Sequence, residues 1–254
     1  MENQMKVKEK YDDFSNNYDL FGTTLVIDEV EKEFFEKIFS QYDVESVLDC
    51  ACGTGVHCYL LSEMGYDIKG SDLSNGMLKK AKENLKKVNS KIDLRQCDFR
   101  KLDNSFEEKF DAVLCLTTSL PHLHKKIELI KALKSMKSVL KEDGIVIVDQ
   151  GITHNSLKNS NCSKLIVNNR EYSRIFVKDI NEDMQITNIL DIYHGKKNKI
   201  ETFTMEYKIL LDDDYRELLK EAGFKNIKIY GDYNLNEYDS ENSNRIIAIA
   251  KKNS

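Results

Sequence analysis

The sequence predicts an α/β fold: a wound, mostly parallel seven-stranded sheet with an antiparallel β insertion after strand five. Three observations lead there. Short apolar runs alternate with helical stretches through residue 150, the pattern of a parallel sheet covered by helices on both faces. A Gly-containing turn, Ala51-Cys-Gly-Thr-Gly55, joins the first run to the helix after it. Beyond residue 150 apolar and polar residues alternate, as in antiparallel strands with one wet face.

The elements follow in order. Asp28 to Tyr42 reads as a helix, with Val30, Phe34, Phe35, Ile38 and Phe39 on one stripe and Asp28 with Glu31 resembling a capping box. Ser46–Cys50 is the first strand. Val56, Tyr59, Leu60 and Met64 mark a helix that Gly65 suits as a C-terminal cap. Asp67–Asp72 is the second strand, and Ser74 caps a helix bearing Met77, Leu78, Ala81, Leu85 and Val88. Ile92–Cys97 and Phe110–Leu116 are strands three and four. Ile127, Ile130, Leu133, Met136 and Leu140 form a helix closed by Gly144, and Ile145–Asp149 is the fifth strand. Lys164–Asn168, Glu171–Asp179, Met184–His194 and Lys199–Leu211 carry the alternation, with turn signals at Val167-Asn-Asn and His194-Gly-Lys-Lys-Asn. Asp212–Ala222 returns to a helix with acids at its positive end and Gly223 after it. Lys225–Tyr230 and Arg245–Lys251 close the sheet. The expected organisation is one domain over 1–254: a core of 40–150 and 212–254, an N-terminal flap 1–27 bearing Tyr11, Phe14 and Tyr18, and a lid insertion 151–211.

Composition excludes several classes. With 38 basic and 43 acidic residues in 254, the net charge of −5 opposes a generic nucleic-acid backbone binder. The longest apolar runs, Ala112–Leu116 and Ile246–Ala250, are far short of the roughly 20 residues of a membrane span. The first residues carry no apolar signal-peptide core, and six Cys without one favour a reducing, cytoplasmic setting. Homo-oligomerisation stays open. No metal is expected, because Cys50, Cys52, Cys58 and His57 fit no zinc spacing.

The chemistry concentrates at three strand ends. A Gly53-Thr-Gly55 turn between strand and helix lets a ligand approach bare backbone at a helix N-terminus. Asp72 follows Gly53 by 19 residues and ends the second strand, where an acid can accept from both hydroxyls of a ribose. A dinucleotide site would need a third Gly where Cys58 stands, so a nucleoside without phosphates fits better. Asp98 ends the third strand, where it can accept from an adenine amino group while Phe99 packs on the ring. His122 and His124 follow strand four, and His122 is placed to take a proton from an acceptor.

The chain resembles the class I S-adenosylmethionine-dependent methyltransferases in Asp49-x-Ala-Cys-Gly-Thr-Gly55, Asp72-Leu-Ser-x-x-Met77-Leu78 and Asp98-Phe99. Within that class it is similar to glycine N-methyltransferase and its small-molecule relatives, through Ala51–Val56, Phe110–Leu116 with Ser119 and His122-Leu123, Gly231-Asp232 and Thr204–Ile209. The resemblance implies a Rossmann-like fold, S-adenosylmethionine as cofactor and direct in-line methyl transfer to a small nucleophile through N, O or S. It implies that Ala51, Gly53, Gly55, Leu73, Met77 and Leu116 line the cofactor, that Asp72 holds its ribose, and that Asp98 and Phe99 hold its adenine. Tyr18 matches a Tyr that closes over the methyl donor, and Tyr207 one that faces the acceptor. Tyr18, His122 and Tyr207 are thus the candidate catalytic residues, and Thr118, His122 and Tyr207 the candidate acceptor residues.

Two departures stand out. Gly151 occupies the place of an Arg that grips the glycine carboxylate in the family's glycine enzymes, and Thr118 replaces a substrate-site Asn. Arg170 and Arg174 are the insertion's only nearby substitutes for that Arg. The alternatives are a noncatalytic S-adenosylmethionine-binding or regulatory protein and a nicotinamide dehydrogenase. A nucleic-acid methyltransferase is disfavoured because Thr117-Thr-Ser-Leu-Pro121 is not the Asn/Asp-Pro-Pro-aromatic segment used on flipped bases.

Overall fold

Successive side chains of a strand point to opposite faces, and here both faces are apolar. In the computed structural model, which describes residues 2–21, 25, 28–158, 163–195 and 198–253, β1 (Ser46–Asp49), β2 (Asp67–Asp72), β3 (Asp93–Gln96), β4 (Phe110–Cys115), β5 (Leu140–Gln150), β10 (Lys225–Tyr230) and β11 (Ile246–Lys251) form one sheet. Its order is β10-β11-β5-β4-β1-β2-β3, with β11 antiparallel to both neighbours and the other pairings parallel. Val146 and Val148 of β5 meet α5 (Lys126–Ser138) and α7 (Asp212–Glu221) on one face. Ile145 and Ile147 meet α2 (Glu29–Gln41), α3 (Val56–Glu63) and α4 (Asn75–Lys87) on the other. Strand order reverses between β1 and β4, so the crevice for a ligand opens at their C-terminal ends.

The insertion begins with a short helix α6 (His154–Lys158) and continues as a four-stranded antiparallel sheet, β6 (Ser163–Asn168), β7 (Tyr172–Asn181), β8 (Met184–Tyr193) and β9 (Lys199–Lys208). One face buries Ile189 and Met205 against Phe14. The opposite face is less polar than alternation implied: Ile175, Leu190 and Ile192 share it with Leu165 and Ile200, which are 55% and 64% exposed.

Four expectations are corrected. Residues 2–18, in the segment read as an amphipathic flap, form a helix, α1 (Glu2–Tyr18). Tyr11, Phe14 and Tyr18 lie three and four residues apart, which is one helical stripe rather than a loop pattern. Gly144 lies inside β5 and closes nothing; α5 ends at Ser138 and β5 starts at Leu140, with a register shift against β4 between Phe110 and Ala112. A side chain at Gly144 would press to 3.0 Å on the Asp111 carbonyl. Asp28 caps α2 by accepting from Val30 and Glu31 N–H, but Glu31 turns to His57 (3.3 Å) instead of completing a capping box. The helix α6 was not foreseen. Of the expected flap, residues 1, 22–24, 26 and 27 lie outside the described residues, as do residues 159–162, 196 and 197 of the insertion.

Candidate functional site

The floor of the crevice is the turn after β1. Gly53 (φ +53°) and Gly55 (φ +89°) are left-handed, a conformation glycine adopts without strain. A Cβ on Gly53 would stand 3.4 Å from Met77 Cε, and one on Gly55 would press to 3.3 Å on Ala81 Cβ. Asp72 closes the turn: its carboxylate accepts from Gly53 N–H (2.9 Å) and Ser74 N–H (2.8 Å). Burial pushes the Asp72 carboxyl up to about 6 against the pull of those N–H groups. The Gly53, Leu73 and Ser74 N–H groups occupy three of about four lone-pair sites, so Asp72 can still accept from a ribose hydroxyl.

A cavity stands on this floor. Cys50, Ala51, Gly53, Asp72, Leu73, Met77 and Phe99 form its lower wall. Of the cofactor candidates, Ala51, Gly53, Asp72, Leu73, Met77 and Phe99 sit together in this wall, while Asp98, Leu116 and Gly55 take other places. Asp98 is turned to Arg100, accepting from its backbone N–H (2.9 Å), Nε (3.0 Å) and Nη2 (2.5 Å). Burial would raise the Asp98 carboxyl, but Arg100 holds it below its ordinary value. Arg100 also pairs with Glu128 of α5. Leu116 is buried in the core layer of α2–α4, and Gly55 packs on α4.

The upper wall comes from distant segments. Val7, Tyr11 and Tyr18 of α1 face Thr117, Ser119 and His122 from the loop after β4. Asp12 fixes α1 to α4 by accepting from Ser74 Oγ (2.6 Å) and Gly76 N–H (2.9 Å). His122 Nδ1 lies 3.2 Å from the Glu206 carbonyl, which can only accept, so that nitrogen carries the proton. Nε2 then accepts from the Tyr11 hydroxyl at 2.8 Å. Tyr207 of β9 lies against His122 with ring centroids 4.6 Å apart. Burial pushes His122 down to about 4, so it is neutral at pH 7. Burial likewise pushes Tyr18 up to about 12 and raises Tyr11 and Tyr207, keeping the phenols protonated.

Tyr18, His122 and Tyr207 are therefore brought together as the sequence suggested. Thr118 is held back: its hydroxyl accepts from Gly151 N–H at 3.2 Å. Tyr11, Thr117 and Ser119 were missed as site residues. Tyr11 had a signal, lying two helical turns before Tyr18 on the same face; Thr117 and Ser119 had none beyond following strand four. Among the lining residues Asp72 is the single formal charge. Neither insertion Arg supplies a cation there. Arg170 is exposed in the β6–β7 turn. Arg174 is fully buried and bound to Asp191 through Nε (2.6 Å) and Nη2 (2.7 Å), while donating to the Asn17 carbonyl (2.7 Å) at the end of α1.

A wound sheet with a bare Gly turn at its switch point, an acid over that turn and an aromatic-walled cavity above it fits a protein that binds a nucleoside cofactor. Comparison with known proteins gives the family. A methyltransferase-domain family pattern matches residues 47–144. A glycine/sarcosine N-methyltransferase from Aphanothece halophytica is 32% identical over 226 residues, covering 87% of this chain and 82% of that one. A crystal structure of an S-adenosylmethionine-dependent methyltransferase from Clostridium acetobutylicum superposes with a TM-score of 0.81 at 22% identity, covering 96% of this chain and 99% of that one. An amino pentose methyltransferase from Micromonospora echinaspora, solved with S-adenosylmethionine bound, gives a TM-score of 0.69 at 17% identity over 87% of this chain and 89% of that one.

The chain belongs to the class I S-adenosylmethionine-dependent methyltransferases and is related to the glycine N-methyltransferase-like enzymes among them. It is an enzyme of small-molecule type, and S-adenosylmethionine is its cofactor. The noncatalytic and dehydrogenase alternatives fall with that membership. No helix among the described residues is long and apolar enough to cross a membrane.

Proposed function

We propose that the enzyme methylates the nitrogen of a small amine that carries no carboxylate needing a cationic grip. The carrying observation is the charge of the cavity: Asp72 lines it, three phenol or imidazole groups stay neutral in it, and among the described residues no Lys or Arg lines it. The residues present fit the cofactor, since the Gly53–Gly55 turn leaves bare backbone, Asp72 retains acceptor capacity, and Leu73, Met77 and Phe99 offer an apolar wall. When bound, S-adenosylmethionine supplies a methyl group activated on a sulfonium. The chain's own residues do the rest. Tyr11, Tyr18, His122 and Tyr207 exclude water and present ring faces that favour a cation. The Tyr11–His122–Glu206 chain fixes His122 with an acceptor nitrogen toward Tyr11, so His122 orients groups more than it removes protons. Holding the amine in line with the methyl is the main contribution, worth roughly 7 kcal/mol or more when well oriented.

The amine reading is also supported by the relatives, among them glycine/sarcosine N-methyltransferases. Their carboxylate substrates are not carried over, because Gly151 has no side chain and Arg174 is spent on Asp191. A carboxylate closed into this cavity without a partner costs several kcal/mol. The test is a steady-state comparison of glycine and sarcosine with methylamine, dimethylamine, ethanolamine and an amino sugar at saturating cofactor. Glycine and sarcosine should fall at least about a hundredfold below the best uncarboxylated amine in kcat/KM, matching roughly 3 kcal/mol. Equal turnover of glycine would overturn the reading.

A further inference from the structure

Thr117 and Thr118, the second and third residues after β4, both lie in the left-handed region, at φ +55° and +65°. Two β-branched residues in succession there are steric outliers, and such outliers persist only where the surroundings enforce them. The enforcement is visible. Thr117 N–H donates to Asp149 Oδ1 at 2.6 Å, and Thr118 N–H donates to the Asp149 carbonyl at 3.0 Å. Asp149 is fully buried near the end of β5, and its other oxygen is itself held. Tyr233 Oη donates to Oδ2 at 2.8 Å and Arg245 Nε at 2.7 Å, with Arg245 Nη2 also on it. The Arg245 guanidinium lies over the Tyr233 ring, 4.9 Å from its centre.

The clamped turn reaches the cavity through Thr117. Thr117 and Ser119 line it, the Thr117 side chain shares a hydrogen bond with Tyr18, and the turn continues through Ser119 to His122, whose N–H donates to the Ser119 carbonyl at 3.3 Å. We infer that Asp149, charged and oriented by Arg245 and Tyr233, is a positioning residue that holds Thr117-Thr118 in the left-handed conformation and so sets the cavity wall carrying Tyr18's partner and His122. The inference rests on the reading that this cavity holds the cofactor; it does not depend on the acceptor's chemistry.

The test is a double-mutant cycle. Affinity for S-adenosylhomocysteine, by calorimetry, and kcat on the best amine of the panel are measured for Asp149→Asn in two backgrounds: wild type and Thr117→Gly/Thr118→Gly. Glycine takes positive φ without strain and does not need the clamp. In the wild-type background the variant should lose about tenfold in affinity and tenfold or more in kcat. In the double-glycine background both losses should shrink below about threefold. Arg245→Gln, at the partly exposed end of the clamp, gives a milder version with the same background dependence should Asp149→Asn fold poorly. Equal losses in both backgrounds, or no loss in the first, would overturn the role. Asp72→Ala separates the two readings: if it leaves S-adenosylhomocysteine affinity unchanged, the cavity assignment fails, whatever the Asp149 cycle shows.

Discussion

The lower and upper walls of the cavity are built on different principles. The lower wall comes from strand ends and the turns that follow them: the Gly53–Gly55 turn, Asp72 with Leu73 and Met77, and Phe99. Its shape is set by backbone conformations that particular residues demand, and each station stands on the central sheet. The upper wall is assembled from α1 and the loop after β4, backed by Tyr207 and the Glu206 carbonyl of strand β9 against His122, three segments far apart in the chain. It depends on long-range polar ties, with Arg174 joined to the end of α1 and Asp12 joined to α4. The lesson is that mutations of the lower-wall contacts and mutations that undock α1 from the insertion sheet should have separable effects, with the Thr117 turn as the one place where cofactor binding and the upper wall are coupled.

The strongest way to break that separation is Arg174→Met. The variant leaves Asp191 buried without its guanidinium partner, and breaking a buried pair in this way typically costs about 3–5 kcal/mol. Thermal unfolding should show the loss, and amide exchange in α1 and β7–β9 should rise well above that in β1, β4 and β5. Adding Asp191→Leu should recover much of the stability. A loss spread evenly over the central sheet would contradict the two-part picture.

The pH dependence of stability sharpens the same comparison. Burial lowers folded His122 to about 4, below its ordinary 6.5, so the unfolded chain binds the extra proton between those values. The contribution of neutral His122 is therefore complete above about 6.5 and is lost as the pH falls toward 4. Asp49 and Asp72, each pushed up to about 6 by burial, act with opposite sign over much of that window. The clean measurement is the stability difference between wild type and His122→Gln as a function of pH. That difference should change against wild type by up to about 3 kcal/mol on acidification from 6.5 to 4. A pH-independent difference would mean that His122 is not held neutral by its surroundings.

The smallest expected effects separate the two walls most directly. Tyr11→Phe removes the hydroxyl that donates to His122 Nε2, a loss of about 1 kcal/mol for a neutral hydrogen bond. It should lower kcat several-fold and leave S-adenosylhomocysteine affinity within about twofold. Asp72→Ala should do the reverse, weakening affinity by about 1–3 kcal/mol, as expected for hydrogen bonds to a charged acceptor. If Tyr11→Phe weakens the cofactor product as much as Asp72→Ala does, the walls are not separable.

How much of this was legible in the chain varied with the range of the forces involved. Gly53, Gly55, Ser74 and Asp72 could be placed because a positive φ, a helix cap and an acid at a strand end are local requirements with few residue solutions. Asp98 carried the right motif and still turned away, because Arg100 two residues on competes for its oxygens and Glu128 on α5 anchors Arg100. Gly144 looked like a helix stop, but it serves the close approach of β5 to the Asp111 carbonyl, a contact with another strand. Arg174 looked like a candidate for holding substrate; only the paired strands β7 and β8 set it opposite Asp191.

By itself, then, the sequence determined the alternation of strands and helices, the glycine turn and the acid above it, because periodicity and backbone conformation are decided within a few residues. Tertiary structure decided that α1 docks as a helix, that Tyr11 reaches His122, and that Thr117-Thr118 are forced left-handed by Asp149. Those outcomes depend on burial and pairing between segments from 32 to 157 residues apart. A buried carboxylate, guanidinium or imidazole takes whatever partner the fold brings near, and the chain order does not name that partner.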